Sequence, residues 1–168
     1  MNEGEVRAGF ERAWRALHRL ALKGAYLGLR LSWRVYHPVT LGVRVILTRD
    51  GEVLLVRHTY RPGWFLPGGG VHRHESLERA ARREAREETG ATLGELRLLG
   101  IYSNFEDSKS DHVAVFGSTD VTLSGKHDDE IAELQWFPID ALPMEVSPGT
   151  HDRIAEWLSP GGLRSGRW

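Results

Sequence analysis

The sequence contains no cysteine among its 168 residues. This absence excludes disulfide frameworks, thiolate zinc sites, iron–sulfur clusters and cysteine nucleophiles. It is compatible with a reducing compartment, and we expect a cytoplasmic protein. The sequence also lacks an apolar run of the roughly 18 residues that cross a membrane, and we find neither the apolar stretch nor the cleavage site of a secretory signal.

The composition is that of a single globular domain. The hydrophobic fraction is 40% and the charged fraction is 27%, which excludes wholesale disorder. The net charge of −1 conceals a segregation along the chain. Residues 1–36 contain seven Lys and Arg against three Asp and Glu, whereas residues 103–156 contain three against twelve. The distribution of charge, and not its total, therefore carries information about partners.

The N-terminal segment, from Val6 to Tyr36, is predicted to be an amphipathic helix. Its apolar residues recur mostly at steps of three or four, and basic residues form a second stripe at similar spacing. The simplest interpretation is a helix that packs on its own domain or on a second copy of the chain in a homodimer. Contact with an anionic membrane surface or with nucleic acid is the alternative. Gly24 and Gly28 are candidate breaks in this helix.

The chain after His37-Pro38 is predicted to form a mixed α/β domain. The predicted strands are Thr40–Thr48, Glu52–His58, Glu95–Asn104, His112–Thr122 and Glu133–Phe137, and the predicted helices are Glu75–Thr89 and Ser147–Leu158. We therefore divide the chain into an N-terminal basic amphipathic helical extension (1–36), a central domain (37–159) and a flexible Gly-, Ser- and Arg-rich tail (160–168).

One predicted helix carries most of the chemical information, because three of its glutamates share a face. Glu84, Glu87 and Glu88 fall within an arc of about 100°, with small apolar residues beside them and most of the arginines on the other side. Glu84 and Glu88 repel each other at i, i+4 spacing unless a positive charge offsets them. Without cysteine or a well-placed histidine, we expect a hard, oxygen-preferring ion there, Mg²⁺ or Mn²⁺.

From Gly69 to Ala91 the sequence resembles the Nudix box, written G-x5-E-x7-R-E-U-x-E-E-x-G-U. The fixed positions are in register at Gly69, Glu75, Arg83, Glu84, Glu87, Glu88 and Gly90. Alanine occupies both bulky-aliphatic positions, which is a departure from the pattern. The resemblance implies a Nudix hydrolase with an α/β/α sandwich and a mixed β-sheet. It also implies metal-dependent hydrolysis of a phosphoanhydride bond in a nucleoside diphosphate linked to another moiety.

The same resemblance implies roles for individual residues. Glu84, Glu87 and Glu88 would bind the metal, and Gly68 would add its backbone carbonyl. Arg83 would orient a glutamate through a charge-assisted hydrogen bond. Either Glu84 or Glu87 would act as the general base.

Residues outside the box complete the predicted site. Glu130 resembles the loop glutamate that completes the metal site or acts as base, with Glu133 as its competitor and a solvated hairpin tip as the alternative for this acidic loop. The candidate pocket residues before the glycine loop are Arg57, His58, Tyr60, Arg61 and Trp64, and the candidate stacking rings are Tyr102, Phe105 and Trp136. Together they would bind a small-molecule nucleotide derivative.

Markers of particular Nudix subfamilies leave the substrate open. ADP-ribose pyrophosphatases have a proline soon after the box, whereas none occurs here between Gly90 and Pro138. The coenzyme A signature differs in spacing, and isopentenyl diphosphate isomerases need a cysteine. The alternative to an enzyme is a Nudix-fold module that binds a nucleotide for regulation, without turnover. The intact box favours the enzyme.

Overall fold

The computed structural model describes Trp14, Leu17 and residues 20–29, 39–105, 110–159 and 161–168 of the chain. In this part of the chain, three helices and eight strands follow one another in a fixed order. They are α1 (20–29), β1 (Val39–Arg49), β2 (Glu52–His58), α2 (Leu77–Thr89), β3 (Ala91–Leu93), β4 (Arg97–Asn104), β5 (Ser110–Ser118), β6 (Val121–Leu123), β7 (Ile131–Pro138), α3 (Pro148–Leu158) and β8 (Arg164–Arg167).

Six of these strands form one mixed sheet in the order β7-β2-β1-β5-β4-β8. Strand β1 pairs in parallel with β5 and antiparallel with β2, while β4 pairs in parallel with β8. The predicted hairpin joins β1 and β2, and its Asp50 and Gly51 have positive φ angles of 51° and 81°. Two successive residues with positive φ give the twist that suits a tight hairpin.

Helices α2 and α3 cover opposite faces of this sheet. Successive side chains of β1 point to opposite sides, as the pleat of a strand requires. Val43 and Val45 belong to the core that contains Ala81 of α2, while Ile46 belongs to the core that contains Ile154 of α3. The prediction of an α/β/α sandwich with a mixed sheet is therefore confirmed.

Helix α2 begins and ends at residues that the sequence marks as caps. The Ser76 side chain accepts a hydrogen bond from the Arg79 backbone N–H at 3.3 Å, as an N-cap does. Gly90 ends the helix with a φ of 69°, and a Cβ at this position would lie 2.3 Å from the Lys126 carbonyl oxygen. Only glycine meets both conditions. These caps fix where α2 begins and ends, so the glutamates Glu84, Glu87 and Glu88 of the box all lie within the helix.

Three short strands differ from the sequence-based expectations. Strands β3 and β6 form a separate two-stranded sheet. Sequence analysis did not predict this sheet, because segments of three residues are too short to show a periodic pattern. Strand β8 lies in the predicted flexible tail, and that prediction is corrected for Arg164–Arg167, which pair with β4. Arg153 donates to the Arg167 carbonyl at 2.9 Å, and the Trp168 N–H donates to the Ser103 carbonyl at 3.0 Å. Contacts distant in sequence therefore hold this strand.

The predicted N-terminal helix is present as α1. Both candidate glycine breaks lie inside α1 without interrupting it, and the rest of the predicted helix, apart from Trp14 and Leu17, lies outside the described residues. Leu20 and Leu27 are 66% and 58% exposed, whereas Tyr26 is half-buried. Among the described residues, no helix is long and apolar enough to cross a membrane.

Candidate active site

A cleft of about 480 Å³ opens beside the glycine loop that precedes α2. Strands β1 and β2, helix α2 and the start of α3 contribute to its walls, together with one residue of α1 and the last residue of the chain. The lining includes four carboxylates (Glu84, Glu88, Asp111, Glu130), two arginines (Arg44, Arg61) and five rings (Tyr26, His58, Tyr60, Phe65, Trp168). Negative, positive and aromatic groups therefore meet in one cleft.

Glu88 is the buried carboxylate of this cleft. Its Oε2 accepts a hydrogen bond from the Gly68 N–H at 2.8 Å, and its Oε1 lies 3.9 Å from His58 Nδ1. Burial, assisted by the like charges of Glu84 and Glu130, raises the pKa of Glu88 to about 8, although Arg44 and the Gly68 hydrogen bond act against this rise. The site therefore holds a carboxylate whose negative charge the protein alone does not fully offset.

Arg83 joins the glycine loop to three glutamates. Its Nε and Nη2 each donate to an oxygen of Glu75 at 2.9 Å, and Nη2 also donates to the Gly70 carbonyl at 3.0 Å. Its Nη1 donates to Glu84 at 2.6 Å and to Glu87 at 3.1 Å. Hydrogen bonds, above all from Arg83, lower the pKa of Glu75 to about 2. The predicted contact between Arg83 and a glutamate is therefore present, and it is made to two glutamates of the predicted metal set.

Two residues of the glycine loop, Gly68 and Gly69, pass so close to β1 and α2 that an added Cβ would collide. The Gly69 carbonyl accepts from the Val43 N–H at 2.9 Å. At Gly68, where φ is 142°, a Cβ would lie 2.2 Å from the Val43 carbonyl oxygen, and at Gly69 it would lie 2.7 Å from the Glu84 carboxylate. The first contact is with rigid backbone and the second is with the end of a side chain. Arg44 of β1 in turn donates to the Gly68 carbonyl.

The family model for the NUDIX domain matches residues 38–158 of the chain. The chain belongs to the Nudix family. Its relatives include an ADP-ribose pyrophosphatase of Methanocaldococcus jannaschii, which is 33% identical over 117 residues, 67% of this chain and 69% of that protein. The diphosphoinositol polyphosphate phosphohydrolase 3-alpha of Mus musculus is 36% identical over 120 residues, 68% of this chain and 73% of that protein.

Solved structures have the same fold. The MutT NUDIX hydrolase from Burkholderia pseudomallei superposes with a TM-score of 0.64 and 27% identity, covering 70% of this chain and 97% of that chain. The prediction that the chain is a Nudix hydrolase is confirmed by this likeness together with the family match. Helix α1 lies outside the matched residues, yet it contributes Tyr26 to the cleft.

The Nudix domain offers oxygen donors that fit a hard divalent cation. Glu84, Glu88, Glu130 and Gly68 line the same cleft, and Mg²⁺ binds through few carboxylates while it keeps several waters. His58 Nδ1 is buried without a hydrogen-bond partner among the described residues, 3.9 Å from Glu88 Oε1. A bridging water or ion would fill such a gap. The donor chemistry and this unpaired atom both fit a bound cation.

These donors do not already form a cage. Within the described part of the chain, no three acidic or histidine side chains stand close enough together to hold a metal ion. Arginines compete for the donors, because Arg83 binds Glu84 and Glu87 while Arg44 binds the Gly68 carbonyl. Glu87 is absent from the described lining of the cleft and is partly exposed beside Arg83. Metal binding by Glu87 stays a prediction.

Of the predicted substrate-binding residues in the Nudix domain, Arg61 lies in the cleft, with its guanidinium 4.4 Å from the Phe65 ring centroid. Arg57 does not line it. The Arg57 guanidinium is bound instead by Glu133 at 3.3 Å and by Glu145 at 3.0 Å. The two arginines are four residues apart in sequence, yet of the two only Arg61 lines the cleft that contains Glu84, Glu88 and Glu130.

Sequence analysis also placed His58 and Tyr60 in the pocket, and both line the cleft. Three other rings that it selected, Trp64 for the pocket and Tyr102 and Phe105 for stacking, lie elsewhere. Trp64 and Tyr102 are only 3% and 2% exposed and belong to the core on the α3 side of the sheet. Phe105 is exposed, with the Arg167 guanidinium 5.4 Å from its ring centroid. None of the three is among the described residues that line the cleft. Their predicted place in the pocket is therefore corrected.

Sequence analysis missed Arg44, Tyr26 and Trp168 as parts of the cleft. Arg44 had a signal, since it is the one charged residue in the otherwise apolar run from Val43 to Leu47. A charge inside a buried strand needs a function or a partner. Tyr26 and Trp168 had no local signal, because their position depends on where α1 and β8 pack.

Proposed function

We propose that this Nudix hydrolase uses Mg²⁺ or Mn²⁺ to hydrolyse a phosphoanhydride bond in a nucleoside diphosphate linked to another moiety. The observation that carries the proposal is the meeting of carboxylates and arginines in one cleft. Glu84, Glu88 and Glu130 supply oxygen donors for a cation, and Arg44 and Arg61 supply positive charge for phosphate oxygens.

Glu84, Glu87, Glu88 and Glu130 would hold the cation together with the carbonyl of Gly68. When bound, the cation would supply a water made nucleophilic at neutral pH and charge to offset the phosphates. The like-charge repulsion around buried Glu88 supports this assignment, because a cation among these carboxylates would relieve it.

The side chains themselves would position the reacting groups. Arg83 holds Glu84 through its 2.6 Å hydrogen bond, so the Glu84 carboxylate faces the cleft in a fixed orientation. A carboxylate in this place can accept a proton from the attacking water, with Glu87 as the second candidate for the same role. Arg44 and Arg61 would bind the phosphates as negative charge shifts to the leaving group.

The names of relatives and the rings of the cleft both bear on the substrate class. Two of the relatives are named for ADP-ribose and for diphosphoinositol polyphosphates. These names support a small phosphorylated molecule, and the aromatic rings of the cleft support a nucleotide derivative.

A substrate screen tests the proposed function. Nucleoside triphosphates, dinucleotides and nucleotide sugars are incubated with the protein and Mg²⁺, and phosphate or nucleotide release is measured with and without a chelator. We expect release from at least one class, lost on chelation. Binding without release would support the regulatory module instead, and release from none of the classes would contradict the hydrolase assignment.

Further contacts of the N-terminal region stay predictions. The exposed Leu20 and Leu27 of α1 support contact with a second copy of the chain or with a membrane surface. Light scattering tests the homodimer, co-sedimentation with anionic vesicles tests the membrane, and a gel shift tests nucleic acid. The cytoplasmic location, expected from the lack of cysteine and of a recognisable secretory signal, stays a prediction as well.

A further inference from the structure

Helix α1 reaches the active-site cleft although it lies outside the Nudix domain match. Tyr26 lines the same cleft as Glu84, Glu88 and Glu130, whereas the family match begins at residue 38. We propose that Tyr26 is a specificity-determining residue that contacts the planar ring of a nucleotide substrate. This inference rests on the proposed function and adds to it a binding surface from outside the family domain.

A continuous row of rings connects Tyr26 to the carboxylates. The Tyr26 and Tyr60 centroids are 5.3 Å apart, with their planes at 38°. Tyr60 stacks on His58 at 5.1 Å and 29°, and His58 Nδ1 lies 3.9 Å from Glu88 Oε1. The row therefore begins at the place proposed for the reacting phosphate and leads outward to Tyr26. A base joined to that phosphate through a ribose would extend along such a row.

The packing of α1 also supports contact between Tyr26 and a substrate. On this helix Leu20 and Leu27 are exposed, while Leu22 and Tyr26 are half-buried and Tyr26 contacts Tyr60. Burial of apolar area alone would favour Leu20 or Leu27 over a tyrosine at the second half-buried position. The helix instead presents an amphipathic ring, which suits a wet cleft because one part of tyrosine is apolar and its hydroxyl tolerates water.

The surrounding chemistry suits a nucleobase. Every base has a π-face, and stacking on aromatic side chains tolerates differences in base identity. Arg61 lies beside this row, over Phe65, where its charge can reach a phosphate or stack on a ring. Trp64 and Tyr102 are buried in the core and Phe105 lies outside the described lining, whereas Tyr26 and Tyr60 both line the cleft, where a substrate can contact them.

The test separates ring recognition from phosphate recognition. Binding is measured by calorimetry with Mg²⁺, using the four nucleoside monophosphates as ring-containing probes and inorganic diphosphate as the probe without a ring. The variants are Tyr26→Leu, which removes the ring but keeps apolar bulk, and Tyr26→Phe, which keeps the ring. Leu27→Ala is the matched control on the exposed side of the same helix.

We expect Tyr26→Leu to weaken binding of the best nucleoside monophosphate by about 5- to 150-fold, the range of one base-stacking contact. Diphosphate binding should be unchanged, and Tyr26→Phe and Leu27→Ala should bind both probes as the wild type does. On the hydrolysed nucleotide, Tyr26→Leu should raise KM with little change in kcat, as loss of uniform binding does.

Two results would overturn the inference while leaving the proposed function intact. They are an unchanged nucleotide affinity in Tyr26→Leu, and an equal loss for nucleotide and diphosphate, which would indicate a structural role. Circular dichroism of each variant shows whether the fold is retained, and Tyr26→Ala repeats the measurement if the leucine variant does not fold. A wild type that neither binds nor hydrolyses any nucleotide would remove the proposed function and this inference together.

Discussion

The cleft has an acidic side and an aromatic side, and the residues of the two sides come together in different ways. On the acidic side, Glu84 and Glu88 come from one turn of α2, and the loop that faces them lies within the same motif. On the aromatic side, Tyr26 comes from α1 and Tyr60 from the loop after β2, more than thirty residues later. The first arrangement follows from helical spacing, whereas the second follows only from the packing of distant segments.

The strongest test of the acidic side is a substitution of Gly68, the residue at which the glycine loop approaches β1 most closely. Gly68→Ala would place a Cβ 2.2 Å from the Val43 carbonyl oxygen at a φ of 142°. We expect a loss of about 3–5 kcal/mol in unfolding free energy, from backbone strain and overpacking together, and loss of activity. Gly69→Ala is the control, because its Cβ would meet the end of the Glu84 side chain and not the backbone. It should lower activity with a smaller change in stability, measured by urea unfolding, and equal destabilisation by both changes would contradict this account.

The chemical contribution of the acidic side is tested by Glu88→Gln. Glutamine keeps an acceptor for the Gly68 N–H but removes the charge. We expect kcat/KM with Mg²⁺ to fall at least about 100-fold, as for loss of one group that stabilises transition-state charge. Glu78→Gln is the matched control, since Glu78 lies on the same helix and pairs with Arg82 on the exposed side. Comparable losses in both variants would mean that the effect is one of helix stability and not of the site.

The next prediction concerns the limit of the aromatic side. Sequence analysis placed Trp64 in the pocket, whereas the structure places it in the core. Trp64 packs edge-on against Phe137, with centroids 4.7 Å apart. Trp64→Leu should therefore cost about 2–3 kcal/mol of stability, by analogy with other large-to-small changes in cores. Its KM should remain that of the wild type at a temperature where the variant is folded. A raised KM with unchanged stability would indicate instead that Trp64 contacts the substrate.

This contrast explains how far sequence reasoning reached. The box, its helix, both caps and the glutamate face were predictable, because each depends on residues within a few turns of one another. Tyr102 and Trp64 were misplaced because the local sequence around an aromatic residue is the same whether its ring faces the core or the cleft. In the structure Tyr102 is buried and donates to Glu156 at 2.5 Å.

The residues that were missed share one physical cause. Tyr26 and Trp168 enter the cleft through contacts between distant parts of the chain, and no local periodicity encodes such contacts. Arg44 is different, since a charge within an apolar strand is visible in the sequence. Its hydrogen bond to the Gly68 carbonyl gives that charge a partner in the structure.

The acidic side should also make the metal-free protein sensitive to pH. The folded pKa of Glu88 is raised from its ordinary 4.5 to about 8, so the folded state binds this proton more tightly than the unfolded state. The resulting stability is present below pH 4.5 and is lost as the pH rises through 8. His58, whose pKa is lowered to about 4 by burial and by Arg44 and Arg61, acts in the opposite sense between pH 4 and 6.5.

The expected signature is therefore a loss of wild-type stability between pH 6.5 and 8 in the presence of a chelator. Glu88→Gln should lack this loss. The unfolding free energy of the variant minus that of the wild type should therefore increase with pH. Urea unfolding at several pH values measures it. Parallel pH profiles for the two proteins would show that Glu88 ionises in the folded state as it does in the unfolded chain.

The smallest expected effect lies at the entrance to α2, where His74 adopts a φ of 63°. This left-handed region costs a residue with a side chain more than it costs glycine, although glycine loses more entropy on folding. His74 is exposed, and its neighbour Glu75 is held by Arg83. His74→Gly should thus stabilise the protein by about 0.5 kcal/mol, the balance of these two terms, with unchanged KM. His72→Gly is the matched control that should destabilise or do nothing. A drop in stability or a change in metal affinity for His74→Gly would mean that the imidazole itself contributes to the acidic side.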